Sequence, residues 1–436
     1  MLLNPSELEQ LKLFADQNAQ LVVGLSGGVD SIVLLDILHK SIQQEKIYIQ
    51  LSAIHVHHGL SEQADHWLQF CESFCQQKNI AFQARKVQLS KANRQSLEAV
   101  ARDARYQVFD ALTESNTIVA TAQHLNDQAE TFLLRLKRGS GPGGLAAMAR
   151  LAPLPQSDVN QNKSVWRPFL TIKKQQILDY AKLHDLTWVE DDSNQNDAFD
   201  RNFLRNQILP LIEQRWPEFQ TCVARSAELC QQEQSILASV AADDLALITE
   251  AAEAHIINLE NLSALDYARQ NNVIRYWLAG LNEPMPSQIL LKQIIDNLHV
   301  ESDQQPKIQL QQGELWQYKS RLYYYNCTQI KKLKLTPDDT KLDSAKLNSG
   351  MITISLSNGQ TLKLDCSDIQ IKPDDRAEIC FSPALKTKCR PKYRNCSKTI
   401  KQCLQELEVP VWQRAHIPYL FINGQLKAAI GYWECE

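Results

Sequence analysis

Two serines, two glycines and an aspartate stand close together in the segment Ser26-Gly27-Gly28-Val29-Asp30-Ser31. An apolar, strand-like run precedes this segment and a helical pattern follows it at once. A glycine turn that opens a helix lets backbone N–H groups approach an anion, and serine hydroxyls add further donors. Because Asp30 would repel phosphates unless a cation lay between them, the segment predicts a phosphate site with Mg²⁺ held by Asp30.

Other interpretations of this segment are weaker. A Walker A loop ends in Gly-Lys-Ser or Gly-Lys-Thr, whereas Asp30 precedes Ser31 here, which argues against a P-loop NTPase. A purely structural Gly-Gly turn is the alternative. The strand-to-helix context and the neighbouring hydroxyls favour the phosphate site.

A second group of side chains, His124, Asp127 and Glu130, recurs every three residues. A helix that starts near Asn126 would place both carboxylates on one face. Close carboxylates repel one another unless a cation or an amine lies between them, so the spacing predicts an ammonium or Mg²⁺ site, with Asp127 as a second metal ligand. Compensation of the helix dipole in a first turn is the alternative.

Two further features of the first half of the chain leave their interpretation open. Arg102 and Arg105 lie on one predicted helix, where they could hold a phosphate or carboxylate or could simply face solvent. Three histidines end the second predicted strand, where they could bind zinc or only line a pocket: His55, His57 and His58.

The elements that must position these residues alternate regularly. Strands are predicted at 21–23, 51–56, 81–87 and 117–120, with helices between them, for example at 66–78 and 96–113. This alternation predicts an α/β fold, a parallel sheet with helices on both faces. Ligands of such sheets lie beyond the carboxyl ends of the strands, which is where the motifs fall.

Four motifs in this order resemble the tRNA(Ile)-lysidine synthase family: S-G-G-V-D-S, H-V-H-H-G-L, E-A-V-A-R-D-A-R-Y and T-A-Q-H-L-N-D-Q-A-E-T. Shorter matches follow in R-G-S-G, W-R-P, E-D-D-S-N and R-N-F-L-R-N. The family belongs to the N-type ATP pyrophosphatases, or PP-loop superfamily, with an adenine nucleotide alpha hydrolase-like fold. The resemblance covers most of the first 210 residues, and the run from Arg394 to Pro418 extends it to the carboxyl-terminal region.

The resemblance implies a ligase that uses ATP, Mg²⁺ and free L-lysine. Its substrate would be the tRNA(Ile) with a CAU anticodon, whose wobble cytidine (position 34) becomes lysidine through an adenylated intermediate, so that codon AUA is recognised instead of AUG. Roles carry over to matching positions: Ser26 to Ser31 for ATP; Asp30, His124 and Asp127 for catalysis; Asp127 and Glu130 for the amino group of lysine; and Arg102 for its carboxylate. Gln123 stands where the family often has histidine, which removes a general base there.

The remaining chain divides into three predicted parts after a catalytic domain at 1–210. A helical substrate-binding domain is predicted at 211–325, a linker at 326–350 and a small α+β tRNA-binding domain at 351–436. Asn-Gly turns predict hairpins around 358–359 and 423–424. Six apolar residues at helical spacing predict a buried stripe in the second part: Trp216, Phe219, Val223, Leu229, Ile236 and Val240.

A basic run near the carboxyl end is the strongest nucleic-acid signal in the chain. It comprises Lys386, Lys388, Arg390, Lys392, Arg394, Lys398 and Lys401, without an intervening acid. Arg394, Lys398 and Lys401 are therefore predicted to bind the tRNA backbone, and Arg201 and Arg205 to steady the anticodon loop. A solvated basic face is the alternative for the run.

Composition excludes several classes of protein. The net charge of −4 rules out overall basicity as the source of nucleic-acid binding. We predict no signal peptide, no membrane span and a cytoplasmic location, and a homodimer is left open. The eleven cysteines contain no C-x-x-C pair. Two rival functions are a PP-loop tRNA thiolase, which usually needs such cysteines near the site, and a catalytically silent tRNA-binding protein.

Overall fold

The computed structural model describes residues 2–59, 61–89, 97–191, 196–249, 254–298, 307–327, 340–341, 351–355, 361–365, 376–381, 383–414 and 417–435. The chain divides into two compact units, Met1–Ile236 and Leu237–Glu436. Among the described residues, no helix is both long and apolar enough to cross a membrane.

The first unit is built on a six-stranded sheet with the order β3-β2-β1-β4-β6-β5. Its strands are β1 (Gln20–Gly24), β2 (Leu51–His57), β3 (Ala81–Lys86), β4 (Thr117–Ala120), β5 (Leu151–Pro153) and β6 (Ser164–Trp166). The pairs from β3 through β6 are parallel, and β5 joins the edge antiparallel. The predicted parallel sheet is confirmed, and all four predicted strands are present.

Helices cover both faces of this sheet. They are α1 (Pro5–Asp16), α2 (Val29–Gln44), α3 (Ala64–Gln77), α4 (Leu97–Leu112), α5 (Leu125–Lys137), α6 (Pro142–Leu145), α7 (Lys174–Leu183), α8 (Asp200–Phe203), α9 (Leu209–Arg215) and α10 (Phe219–Ile248), the last of which continues into the second unit. Alternate residues of β1 enter opposite cores: Leu21 and Val23 join one cluster, whereas Val22 joins the other. This alternation is what a sheet buried on both faces requires.

The predicted apolar stripe beyond residue 210 is buried only in part. Val223 is buried, but Trp216, Leu229 and Ile236 are 60%, 53% and 64% exposed. The prediction of core packing for these three residues is therefore wrong. Along the 30-residue helix α10, Val223 and Ala227 are buried whereas Leu229 and Ile236 are exposed, so helical spacing alone does not tell which turns are covered.

In its described residues, the second unit contains a four-stranded and a five-stranded antiparallel sheet, two separate strand pairs and several helices. The first sheet has the order β7-β10-β9-β8, formed by β7 (Ile256–Asn258), β8 (Lys307–Gln309), β9 (Gly313–Tyr318) and β10 (Arg321–Asn326). Helices α11 (Leu259–Ser263), α12 (Tyr267–Gly280) and α13 (Gln288–Leu298) accompany it. The sequence predicted the helices here but not this sheet.

The carboxyl-terminal part carries the second sheet, of order β11-β14-β17-β18-β19. Its strands are β11 (Thr340–Lys341), β14 (Ala377–Cys380), β17 (Tyr419–Ile422), β18 (Gln425–Ala429) and β19 (Trp433–Glu434). The described residues of this part also form two separate strand pairs: β12 (Met351–Ser355) with β13 (Thr361–Asp365), and β15 (Lys388–Cys389) with β16 (Lys398–Thr399). They include two helices, α14 (Ile400–Glu406) and α15 (Val411–Arg414).

The hairpin predicted at the second Asn-Gly turn is confirmed. Asn423 and Gly424 have φ angles of 50° and 80° between β17 and β18, the left-handed geometry that these residues favour. The strands of the first predicted hairpin also pair, but its turn at 358–359 lies outside the described residues. The three boundaries between the four predicted parts of the chain stay predictions.

Candidate active site

The segment from Ser26 to Ser31 comprises the end of the turn that follows β1 and the first three residues of α2, at the carboxyl end of the central strand. Gly27 has a φ of 91°, and a Cβ added there would lie 2.8 Å from Cγ2 of Val189. Gly28 is the N-cap of α2 and leaves the first turn without a side-chain cap. Glycine is therefore required at position 27 for both conformation and space, and the open first turn offers N–H groups to an anion.

The two serines of this turn bind each other and the loop backbone. Their Oγ atoms lie 3.1 Å apart, and Ser31 Oγ donates to the Gly28 carbonyl oxygen over 3.0 Å while accepting from the Ser26 backbone N–H over 3.1 Å. These bonds hold the turn in an open shape beside the helix start. Backbone N–H groups and hydroxyls of this kind can bind phosphate, and the phosphate site predicted from the sequence stays a prediction.

Asp30 lies in the first turn of α2 and binds an ammonium group. Lys174 Nζ donates to both of its carboxylate oxygens, over 2.6 and 2.7 Å. The Lys174 backbone N–H in turn donates to Asn126 Oδ1 over 3.2 Å, which ties α7 to the start of α5. A cationic side chain thus stands beside Asp30, where the sequence predicted only a metal ion.

His124 lies between two carboxylates at the N-cap of α5. Its Nε2 is 3.8 Å from Asp30 Oδ1 and 3.5 Å from Asp127 Oδ2. The side chain is almost fully buried, and its Nδ1 has no hydrogen-bond partner in the described part of the chain. Burial lowers the pKa of the His124 imidazole, although the negative charges of Asp127 and Asp30 raise it in part. The net shift is downward, which favours the neutral ring near pH 7.

Asp127 and Glu130 share one face of α5, as their spacing predicted, and both accept from Arg205. Arg205 Nη2 donates to Asp127 Oδ1 over 2.9 Å and to Glu130 Oε2 over 3.0 Å, while its Nε donates to Glu130 Oε1 over 2.7 Å. Asp127 Oδ2 also accepts the His124 backbone N–H over 2.9 Å. One guanidinium therefore separates the two negative charges.

Glu130 is inaccessible to solvent. Burial raises the pKa of its carboxyl group, and the bidentate contact with Arg205 opposes that rise. A buried carboxylate of this kind needs a cationic partner, because an uncompensated charge in the interior is costly. In this structure Arg205 is that partner, and the binding of a ligand's cation by Asp127 and Glu130 stays a prediction.

The two arginines predicted to steady RNA contact carboxylates in this structure. Besides the contacts of Arg205, Arg201 Nη1 lies 3.2 Å from Glu98 Oε1 and its Nη2 donates to Thr131 Oγ1 over 3.2 Å. Arg205 belongs to the turn Leu204–Ile208, which is π-helical, a rare geometry that is frequent at functional sites. A role in holding tRNA stays a prediction for both residues.

Arg102 lies at the edge of this cluster. Its side chain is 63% exposed and pairs with the neighbouring Asp103 at 3.8 Å. Glu98, one turn earlier on α4, contacts Arg201, so this face of α4 borders the acidic pair. Arg102 is thus available to a ligand that approaches from solvent.

Two of the three histidines at the end of β2 contact neighbouring groups of the chain, as the distances show. His55 Nδ1 donates to the Leu25 carbonyl oxygen over 2.8 Å, and His57 Nε2 lies 3.2 Å from Asp65 Oδ1. Burial lowers the pKa of His58 to about 4, and the positive charge of Arg105 contributes to this decrease. Within the described residues, no group of three or more His, Cys, Asp or Glu side chains is arranged to hold a metal ion, and the zinc interpretation gains no support.

The basic run lies in the second unit and is mostly exposed. Lys388, Arg394 and Lys401 face solvent, whereas Lys398 is half-buried. Lys398 and Arg394 both pair with Glu406, Arg394 at 3.4 Å. The run is therefore partly neutralised by an acid that follows it in sequence.

Lys174 and Asn126 are the site residues that sequence reasoning missed. Lys174 follows β6 after a short loop, and β6 has only three residues, which is too short for a recognisable alternating pattern. The only available signal was the neighbouring W-R-P match. Without that strand, nothing placed Lys174 at the same edge of the sheet as Asp30.

Three family models match the chain. They are the PP-loop domain at residues 3–212, the TilS substrate binding domain at 257–323 and the TilS substrate C-terminal domain at 377–436. Together they cover the turn at Ser26 to Ser31, the acidic pair on α5 and the basic run.

Curated relatives match along nearly the whole length. The tRNA(Ile)-lysidine synthase of Proteus mirabilis is 34% identical over 435 residues, which cover 97% of this chain and 93% of the relative. The synthases of Shigella flexneri and Vibrio vulnificus are each 38% identical, covering 94% and 95% of this chain and 91% and 92% of the relatives. The chain belongs to the tRNA(Ile)-lysidine synthase family.

Proposed function

We propose that the protein is an ATP-dependent ligase that joins free L-lysine to C2 of the wobble cytidine of the tRNA(Ile) with a CAU anticodon, forming a carbon–nitrogen bond. The observation that carries this proposal is the acidic pair of the partly exposed Asp127 and the fully buried Glu130, which lies beside His124 and Asp30 at the predicted phosphate turn. A cation-binding site next to a phosphate cradle suits a reaction that combines an amine with ATP. Such a reaction would belong to the cytoplasm.

The first step would activate the base. The oxygen on C2 of cytosine is a poor leaving group and must be activated. It would attack the α-phosphorus of ATP, so that AMP becomes attached to this oxygen and pyrophosphate leaves. The N–H groups at the start of α2, with Ser26 and Ser31, would hold the phosphates. Asp30 and Asp127 supply oxygen ligands of the type that Mg²⁺ prefers, and Mg²⁺ bound there would offset phosphate charge.

The second step would bring in lysine. Asp127 and Glu130 would bind its α-amino group and Arg102 its carboxylate, which leaves the ε-amine free to attack C2 as AMP departs. Arg205 donates hydrogen bonds to the same two carboxylates. The α-amino group of lysine would therefore either displace the Arg205 guanidinium from Asp127 and Glu130 or bind to them beside it. The neutral imidazole of His124 is suited to accept a hydrogen bond at the reacting centre.

The tRNA must present its base outside the anticodon stack for either step. Arg201 and Arg205 would then steady the anticodon loop, while Arg394, Lys398 and Lys401 would hold phosphates elsewhere. Contacts to phosphates position a nucleic acid without reading its sequence.

Neither rival function gains support from the site. A thiolase needs reactive cysteines, but Cys71 and Cys75, which are the cysteines of the first 210 residues, are fully buried and their pKa values are raised to about 12. A silent binding protein would gain nothing from buried acids beside a polyanion.

The test is release of AMP and pyrophosphate from ATP by the purified protein with unmodified tRNA(Ile) transcript, with and without lysine. We expect AMP release that depends on both tRNA and lysine, together with transfer of labelled lysine to the RNA. A transcript with uridine at the wobble position is the matched control. Turnover that ignores lysine but responds to a sulfur donor, or absence of turnover with a folded protein, would contradict the proposal.

A further inference from the structure

Five aromatic side chains meet in the second unit, and we name them the aromatic junction: Trp316, Tyr318, Tyr323, Tyr325 and Trp412. The first four lie on β9 and β10, within or just beyond the stretch matched by the substrate-binding family model. Trp412 lies on α15, within the stretch matched by the C-terminal model. The junction therefore joins two parts of the chain that are far apart in sequence.

Trp412 is the centre of this junction. Its ring lies nearly perpendicular to those of Trp316, Tyr323 and Tyr318, with centroid distances of 4.7, 5.5 and 5.9 Å. Edge-to-face contact at these distances is favourable and depends on orientation. A single indole thus contacts both strands of the facing sheet.

Hydrogen bonds fix the same contact. The hydroxyl of Tyr325 accepts from Trp412 Nε1 over 3.2 Å and from Gln413 Nε2 over 2.8 Å. Arg414 Nη2 donates to the Tyr318 hydroxyl over 3.1 Å. Three consecutive residues of α15 therefore bind tyrosine hydroxyls of the facing sheet.

The segment that bears Trp412 is continuous with the helix that ends the basic run. Leu404 on α14 and Val409 just after it belong to one buried cluster, and Arg414 Nε donates to the Val409 carbonyl oxygen over 2.9 Å. Lys401 projects from the same helix, with an exposed side chain. The position of the basic run is thus coupled to the position of Trp412.

Two contacts on one ligand strengthen each other only when their spacing fits the ligand. If the spacing is held, the second contact forms at a high effective concentration, and if it is not, that gain disappears. A tRNA that reaches both the β9–β10 sheet, most of which lies in the stretch matched by the TilS substrate binding model, and the basic run would be such a ligand.

We infer that Trp412 is a positioning residue that holds the basic run at a fixed place relative to the β9–β10 sheet, so that both contact one tRNA together. This inference rests on the proposed function, in which the basic run binds tRNA. Trp412 itself touches neither substrate nor the reacting atoms.

The test uses the full chain with Trp412→Ala, Trp412→Phe and Tyr325→Phe, the last of which removes only the shared hydroxyl. Trp412→Ala should raise the KM for full-length tRNA(Ile) at least about tenfold and leave kcat at saturating tRNA unchanged. Trp412→Phe should recover most of the affinity. Tyr48→Ala, at a 93% exposed tyrosine of the first unit, is the matched control and should behave as wild type.

A KM for a short anticodon stem-loop separates positioning from folding. Trp412→Ala should leave that KM unchanged, because the stem-loop cannot reach a second contact. In folded Trp412→Ala protein, a KM raised equally for both RNAs would show a general effect instead of positioning and would overturn the inference, as would an unchanged KM for full-length tRNA.

A double variant, Lys388→Ala with Lys401→Ala, distinguishes the two possible failures. If it binds full-length tRNA as tightly as wild type, the proposed tRNA contact of the basic run is wrong. If it binds weakly while Trp412→Ala binds normally, the contact stands and the positioning role of Trp412 is wrong.

Discussion

At the scale of single residues, the acidic pair on α5 is unusual because one of its members is completely buried. Asp127 is partly accessible, with 15% of its side chain exposed, whereas Glu130 has none. Buried carboxylates are kept charged by donors that surround them, and here Arg205 supplies three of the hydrogen bonds. Replacing the carboxylate at 130 therefore changes the charge offered to a ligand without opening a large cavity.

We expect Glu130→Gln to raise the lysine concentration needed for half-maximal turnover by about 10- to 100-fold, as for removal of one charged hydrogen bond. The requirement for ATP should change much less, because Glu130 lies beside the proposed amine site and not in the phosphate turn. Steady-state kinetics with each substrate varied in turn measures both. Glu114→Gln, at an exposed position, is the control, and equal effects on lysine and ATP would contradict the assignment.

His58 makes stability depend on pH. Burial lowers its pKa from 6.5 to about 4 in the folded protein, so the unfolded chain binds a proton more readily than the folded one between these values. Stability is therefore fully present above pH 6.5 and falls as the pH drops toward 4, by up to about 3 kcal/mol from this residue.

His58→Gln should remove this part of the pH dependence. We expect the loss of urea stability between pH 6.5 and 4.5 to be shallower in the variant than in wild type. Burial also lowers the pKa values of His55 and His124, so some dependence will persist. His66→Gln, at an exposed position, should follow the wild-type curve, and parallel curves for His58→Gln and wild type would refute the prediction.

At the scale of elements, the turn between β1 and α2 depends on Gly27. A methyl group there would meet both a positive φ and the Val189 side chain at 2.8 Å. We expect Gly27→Ala to cost about 1–3 kcal/mol of stability and to raise the KM for ATP, because the turn must shift to relieve the contact. Urea unfolding and ATP-dependent turnover measure the two effects.

Gly280→Ala is the matched control for this substitution. Nothing lies within 4 Å of a Cβ added at Gly280, the last residue of α12. The variant should be as stable as wild type or up to about 1 kcal/mol more stable. An unchanged urea midpoint and KM in Gly27→Ala would show that the turn tolerates a side chain.

Elements with a strong local signal could be predicted from the sequence, and short ones could not. The strands β1, β2 and β4 are rich in apolar residues, and the β17–β18 hairpin has an Asn-Gly turn that dictates its geometry. By contrast, β5, β6, β7 and β8 have three residues each, and pairing with distant strands alone defines them. Lys174 was missed for that reason.

The contacts within the site could be predicted only in part. Helical spacing correctly placed Asp127 and Glu130 on one face, since that relation is local. The pairing of Arg205 with both, across 75 and 78 positions of sequence, depends on tertiary packing and left no sequence signal. The exposure of Leu229 and Ile236 was missed for the same reason, because spacing describes a helix but not what covers it.

At the scale of the whole molecule, the chain is slightly acidic overall but contains one strongly basic segment. The chain has 50 acidic and 46 basic residues, yet the basic run places seven cations within sixteen positions (386–401). Glu406 and Glu434 neutralise some of them, through Lys398 and Lys392. The members that keep exposed side chains, such as Lys388 and Lys401, are therefore the best probes of tRNA binding.

We expect Lys388→Ala with Lys401→Ala to weaken tRNA binding and to flatten its salt dependence. Removing one lysine–phosphate interaction should reduce the slope of log K against log salt by about 0.7–0.9, because fewer counterions are released. Lys12→Ala with Lys46→Ala changes the net charge equally at exposed positions of the first unit and should leave the slope intact. Equal slopes for both double variants would mean that the basic run is a solvated face. Any weakening of tRNA binding would then come from the change in net charge and not from contacts of this run with phosphates.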